Sequence, residues 1–144
     1  MRLRTRLTTG LLLAALGASV QAKELRYAFQ GSLSSLDPYA LNETFTLGYL
    51  GNVYEGLIRR GADLSIEPAL AERWEIVEPT RWRFYLRKGV KFHNGNDFTA
   101  DDVVFSANRV RADGSDLKTR ISTDTKVEKV DDYTVDFVTP EPNP

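Results

Sequence analysis

His93 is the one imidazole in the sequence and so the one side chain whose ordinary titration falls near neutral pH. It stands in Phe92-His93-Asn94-Gly95, and the chain has no Cys and no second His with which to complete a metal site or a nucleophile–base pair. A hydrogen bond that stabilises the turn is therefore the expected role of His93. Asp101 and Asp102 are adjacent carboxylates, but consecutive helical residues point in different directions, which favours capping over acid–base pairing. Gly48-x-x-Gly51 has neither the preceding strand nor the spacing of a phosphate loop. Trp74, Trp82, Phe84 and Tyr85 could stack on a ligand, yet their alternation reads more simply as the core face of a sheet. Arg81, Arg83, Arg87, Lys88 and Lys91 could receive an anion or a partner, and the plainer reading is the solvated face of the same sheet. No catalytic residue, metal ligand or cofactor is assigned.

The elements that would carry these residues belong to a chain of 144 residues, 42% hydrophobic and 27% charged, with a formal net charge of −1. That apolar content and small charge imbalance exclude a disordered chain. The lack of Cys excludes a disulfide scaffold and a lipid-modified cysteine. Near-neutral charge leaves no basic footprint for nucleic acid. The length allows one domain at most.

Charge is unevenly spread. Arg2, Arg4 and Arg6 precede an uncharged run from Gly10 to Val20, and Val20-Gln21-Ala22 supplies the small residues of a cleavage site. This is the pattern of a secretory signal peptide over residues 1–22, cut between Ala22 and Lys23. A membrane anchor is the alternative, but a run of 11 residues is shorter than the ~20 needed to span a hydrocarbon core. Removing three Arg and no acid takes the 19 basic side chains to 16 against 20 acidic ones, a net charge of −4. The expectation is an exported, mildly acidic protein of the periplasm, without a lipid anchor.

Leu25, Tyr27 and Phe29 alternate with polar residues, which predicts a strand over 24–29, followed by a Gly- and Ser-rich loop ending at Asp37-Pro38. From Thr46 the apolar residues Leu47, Leu50, Val53, Tyr54, Leu57 and Ile58 recur at helical spacing, which predicts a helix stopped near Gly61 with Arg59 and Arg60 at its negative end. Glu67-Pro68 before Ala69–Glu72 predicts a short helical turn. Strands are predicted over 74–77 and 81–86, with Trp82, Phe84 and Leu86 on the core side, and Val90–Phe92 resumes the pattern before a tight turn at Asn94-Gly95. Thr99-Ala100-Asp101-Asp102 reads as a capping box that starts a helix running towards Val110. Val127–Val130 and Tyr133–Val138 read as a hairpin about Asp131-Asp132. Residues 111–124 are polar and carry no periodic signal.

Physics alone stops at an exported α+β module suited to binding. Ala71-Glu-Arg-Trp-Glu75, Trp82 through Gly95 (WRFYLRKGVKFHNG) and Phe98 through Ser106 (FTADDVVFS) carry the reading further, with Leu36-Asp-Pro38, Val53-Tyr-Glu-Gly-Leu57 and Val130-Asp-Asp-Tyr-Thr-Val135 in the same order. This series, covering nearly all of residues 24–144, resembles the family 5 extracellular solute-binding proteins, the oligopeptide-, dipeptide- and nickel-binding components of ABC importers. Two features depart from the pattern. The hairpin at Glu78-Pro79-Thr80 is shorter than the family's usual turn, and the family's proteins are several times this length.

The resemblance implies an α+β fold: the N-terminal portion of a two-lobed, type II periplasmic binding protein with the extra β-rich subdomain, truncated. Residues 1–22 are then the signal peptide, 23–46 the first strand and loop of lobe I, and 47–144 an incomplete additional α+β subdomain. It further implies that Gln30, Gly31 and the stretch from Asn42 to Phe45 border a cleft that closes on the solute by a hinge motion. Asn42 and Thr44 offer neutral donors and acceptors suited to a peptide backbone, and capping the helix near Thr46 is their other reading. The expected function is that of a monomeric receptor without a cofactor, binding a peptide or other small solute and delivering it to an ABC permease in the inner membrane. A nickel complex is an alternative solute, and a periplasmic hydrolase or a protein-contact module are alternative functions. A chain that supplies one wall of a cleft is expected to bind its solute weakly.

Overall fold

The computed structural model describes Arg26, Ala28 and residues 30–143. The expected signal peptide, its expected cleavage site at Ala22 and Lys23, and most of the strand expected over 24–29 lie outside the described residues. The chain divides into two units, Met1–Gln30 and Gly31–Pro144. In the first, Arg26, Ala28 and Gln30 are exposed, and the fold described below is that of the second.

Among the described residues eight elements follow in order: α1 (Thr44–Leu50), β1 (Ile58–Arg60), β2 (Ile66–Pro68), β3 (Ala71–Glu78), β4 (Arg81–Leu86), α2 (Ala100–Arg111), β5 (Lys126–Asp131) and β6 (Thr134–Val138). β1 and β2 form a small antiparallel pair, and the other four strands form an antiparallel sheet in the order β3-β4-β6-β5. Two hairpins, β3–β4 and β5–β6, thus join through the β4–β6 ladder.

The register explains the core. Phe84 lies opposite Val135 and Trp74, while Phe137 lies opposite Trp82 and Val127, so period-2 alternation stacks the apolar side chains on one face. Rings of Phe84 and Phe137 meet edge to face with centroids 5.3 Å apart. On this face Leu86 and Val135 join Ala71, Phe98, Ala100 and Val103 in one buried cluster, and α2 packs against β5 and β6. Both expected hairpins form, each about a short turn between strands; β4 keeps its bounds and the second hairpin shifts by a residue, while β3 lengthens from the expected 74–77 to Ala71–Glu78 and takes in part of the expected helical turn.

The α2 helix begins where Thr99 places it. The Asp102 carboxylate accepts the Thr99 backbone N–H at 2.8 Å and the Thr99 hydroxyl at 3.3 Å, closing a capping box. Asp101 and Asp102 sit in its first turn, with Arg109 and Arg111 in its last, each matched to the sign of the helix dipole.

Two expected elements are corrected. The helix from Thr46 stops at Leu50 and does not reach Gly61; its chain turns through Tyr54, and Ile58–Arg60 is a strand. The Gly56 carbonyl accepts from Leu70 N–H, and the Leu57 carbonyl from Ala69 and Ala71 N–H, at 2.9–3.3 Å, so tertiary partners hold in extended form the carbonyls a helix would have used internally. The same bonds overturn the helical turn after Pro68. That proline ends β2, where its missing N–H is no loss at a sheet edge. Val90–Phe92 contributes a single bridge, Lys91 to Asp97, around the Asn94-Gly95 turn, where Gly95 takes φ +89°.

Candidate functional site

The residues expected to face a solute lie on the loop before α1 and on its first turn. Gly31 is exposed, and a Cβ placed there would stand 3.1 Å from the Phe45 ring, so the loop approaches that ring where it has no side chain. Asn42 is exposed, and its Oδ1 accepts from Arg120 Nη2 at 3.2 Å. Thr44 is the exposed first residue of α1. The structure therefore brings Gly31 to the stretch that holds Asn42 and Thr44, with Phe45 between. Neither Asn42 nor Thr44 caps the helix. Glu43 occupies the N-cap, and its carboxylate accepts from the buried Thr46 hydroxyl at 2.8 Å. Gln30, exposed, is the last residue of the first unit.

The loop itself is pinned by polar contacts. Asp37 accepts the Tyr39 N–H at 3.0 Å and pairs with Arg109, the Asp116 N–H donates to the Tyr39 carbonyl at 2.9 Å, and the Tyr54 hydroxyl donates to the Leu36 carbonyl at 2.9 Å. Beside it lies a mostly apolar cavity of about 300 Å³, bordered by Tyr39, Leu57, Leu70, Phe98, Val103 and Phe137. Arg120 lines this cavity and a second one against Trp82 and Phe137. Gln30, Gly31, Asn42 and Thr44 line neither. Arg120 carried no signal in the sequence, since it lies in the polar, aperiodic stretch after α2.

The basic cluster is rebuilt by the fold. Arg81 and Arg83 do not simply coat a solvated face; Arg83 Nε and Nη2 and Arg81 Nη1 donate to the carboxylate of Asp136 at 2.7–2.9 Å, and Asp136 is 1% exposed. The register that sets Arg83 opposite Asp136 makes this pairing. Hydrogen bonds from Arg83, then from Arg81, hold the Asp136 carboxyl below its ordinary value of 3.8 despite burial, and the same bonds raise both guanidinium groups. Arg87 faces Glu55 at 3.7 Å, Lys91 pairs with Asp97 at 2.6 Å, and Lys88 sits 5.4 Å over the Tyr133 ring. Each cation of the cluster is engaged within the protein.

His93 is exposed and makes none of the bonds of its turn, which corrects its expected role. The turn is closed by Gly95 N–H to the Phe92 carbonyl, by the Asn94 side chain on Asn96 N–H, and by the Lys91–Asp97 pair. Asp101 and Asp102 do not act together: Asp102 serves the capping box, and Asp101 accepts from Lys129 at 2.8 Å. Asp101 and then Asp132 raise the Lys129 ammonium. Among the described residues, no group of three or more His, Cys, Asp or Glu could hold a metal ion, and no helix is long and apolar enough to cross a membrane.

The second unit is a four-stranded antiparallel sheet with α2 packed on β5 and β6, preceded by a loop that is pinned by polar contacts. The chain belongs to the bacterial extracellular solute-binding proteins of family 5: the model described as "Bacterial extracellular solute-binding proteins, family 5 Middle" matches residues 65–144, more than half of its length. It is 35% identical to the dipeptide-binding protein of Escherichia coli strain K12, over 94% of this chain and 30% of that protein. Its fold is similar to that of Haemophilus influenzae OppA, solved in complex with RPPGFSPFR, with a TM-score of 0.73, 26% identity, and coverage of 78% of this chain and 26% of that one. Campylobacter jejuni NikZ, solved with Ni(L-His), gives a TM-score of 0.70 at 26% identity, covering 80% of this chain and 24% of that one. The chain thus spans under a third of the length of these relatives, and its mixed α+β fold is the one they share over that part.

Proposed function

We propose that this chain serves in the solute receptor of an ABC importer, exported to the periplasm by cleavage between Ala22 and Lys23, and that its solute is a peptide handed to a membrane permease. The observation that carries the reading is the family match over residues 65–144 together with 35% identity to a dipeptide-binding protein. Gly31, Asn42 and Thr44 are the proposed contacts within the second unit, with Gln30 assigned by its place beside Gly31 in the sequence. Uncharged donors and acceptors at Asn42 and Thr44, and a main chain bared at Gly31, suit a ligand recognised through its backbone, which tolerates varied side chains. In the proposed domain plan, residues 23–46 carry the first strand and loop of one lobe and residues 47–144 the additional α+β subdomain. The likeness to NikZ favours a nickel complex as a second reading of the solute.

A receptor of this kind gains affinity by burying most of the ligand between two walls. One wall leaves a peptide in water, where each hydrogen bond is worth about 1 kcal/mol net. Titration of the chain with di- to pentapeptides, followed by backbone amide shifts, tests the assignment. Weak, millimolar-range changes centred on Gln30–Gly31 and Asn42–Thr44 are expected. Changes centred elsewhere, or none, overturn it.

A further inference from the structure

Two motifs that the sequence sets far apart, Leu36-Asp37-Pro38 and the helix begun at Thr99, meet in the fold at Asp37 and Arg109, 72 positions apart. We infer that Asp37 and Arg109 are positioning residues that fix the segment carrying Gly31, Asn42 and Thr44; the inference rests on the reading of that segment as the solute-contacting one. The Asp37 carboxylate is divided between two tasks. Oδ1 accepts the Tyr39 N–H at 3.0 Å and so shapes the turn, while Oδ2 accepts from Arg109 Nη2 and so ties the turn to α2. The Tyr39 ring lies 5.5 Å from the guanidinium carbon, adding a cation–π contact from the same turn.

The remaining geometry shows why this pair matters more than an ordinary surface bridge. No helix or strand spans residues 31–43, so nothing periodic holds them. Their fixed points are the Asp37–Arg109 pair, the Asp116 N–H on the Tyr39 carbonyl, the Tyr54 hydroxyl on the Leu36 carbonyl, and Arg120 Nη2 on the Asn42 Oδ1. Of these, the first alone is a charge pair, and it is half-buried, with side chains 37% and 34% exposed. Arg109 Nη1 is buried and without a hydrogen-bond partner, so the guanidinium gives up hydration to hold this place. The loop leaving this anchor in one direction reaches Gly31 against Phe45, and in the other reaches Asn42 and Thr44.

The test uses the whole chain and amide hydrogen exchange. Asp37→Asn keeps an Oδ1 acceptor for Tyr39 but loses the charge; Arg109→Gln removes the other partner; Arg109→Lys keeps the charge without the fork. Exchange across residues 31–43 should rise about tenfold in Asp37→Asn and in Arg109→Gln, with β3–β6 changed by less than about twofold. The double variant should be no worse than either single one, and Arg109→Lys should recover protection to within about threefold of the parent. Unchanged exchange over 31–43, an equal rise in the sheet, or additive effects would overturn the inference. Should Arg109→Gln fail to fold, Asp37→Asn, on the loop, decides. A second readout adds the dipeptide Ala-Ala: its amide shifts at Gly31, Asn42 and Thr44 should fade in Asp37→Asn at an unchanged melting temperature. Full-strength shifts in that variant overturn the positioning role. No shifts in the parent chain overturn the peptide reading, and the exchange experiment then decides the Asp37–Arg109 pair by itself.

Discussion

Residues 31–57 and residues 71–138 are held together by different physics. The second region stacks alternating apolar side chains from four strands against α2, and Ala71, Leu86, Phe98, Ala100, Val103 and Val135 are buried there as one cluster. The first buries only Thr46 and Leu50, leaves Leu36, Leu47, Tyr49, Val53 and Tyr54 exposed, and is fixed by polar pins at Asp37, Tyr39, Asn42 and Tyr54. A packed frame and an aperiodic loop are thus held by different forces. Apolar burial is non-directional and sums over many contacts, so it makes the frame. A few directed bonds can fix a loop while leaving its backbone free to meet a ligand.

The largest expected effect lies in the frame. Asp136→Ala removes the acceptor shared by Arg81 and Arg83 and should destabilise the chain by about 4 kcal/mol, read from the urea midpoint. A loss near that of a surface change would place the frame's strength wholly in its apolar face. Leu86→Ala, within the buried cluster, should cost about 3 kcal/mol, and Leu50→Ala, outside it, about 2 kcal/mol, since the sparser surroundings of α1 can collapse into the space left. Equal losses would erase the proposed contrast between the regions. Thr99→Ala should cost about 1 kcal/mol through the capping box, with the Asp102 bond to the backbone N–H retained.

The pH dependence sharpens the same contrast. The Asp136 carboxyl is held below its ordinary value in the folded chain, so its contribution is fully present above about pH 4 and is lost as pH falls through the folded value. Urea midpoints should therefore fall on acidification below about pH 4, and less steeply in Asp136→Asn than in the parent. The exposed Asp63 and Asp131, also held low by local hydrogen bonds, contribute to the slope that remains. Identical slopes in the two chains would remove Asp136 from the account.

Elements that close over a few neighbouring residues are legible in the sequence. The β4 strand is read to its bounds because Trp82, Phe84 and Leu86 alternate with polar partners, and the start of α2 is read because Thr99 and Asp102 satisfy each other across one turn. The hairpin about Asp131-Asp132 is likewise local. The loop that begins at Gln30 is legible in its Gly and Ser content and its Asp37-Pro38 step, whereas the cleft-bordering role proposed for Gly31, Asn42 and Thr44 comes from likeness to a family pattern alone. Tertiary structure decided the rest. Leu57 and Ile58 keep helical spacing in the sequence, yet the N–H groups of Ala69, Leu70 and Ala71 claim the carbonyls of Gly56 and Leu57 and draw the chain into strands. Asp136 gains its partner only when β4 sets Arg83 opposite it. Asp37 and Arg109 acquire a partner only when the loop folds back on α2. Each of these outcomes depends on a donor and an acceptor distant in sequence, and local spacing carries no record of which distant group will arrive.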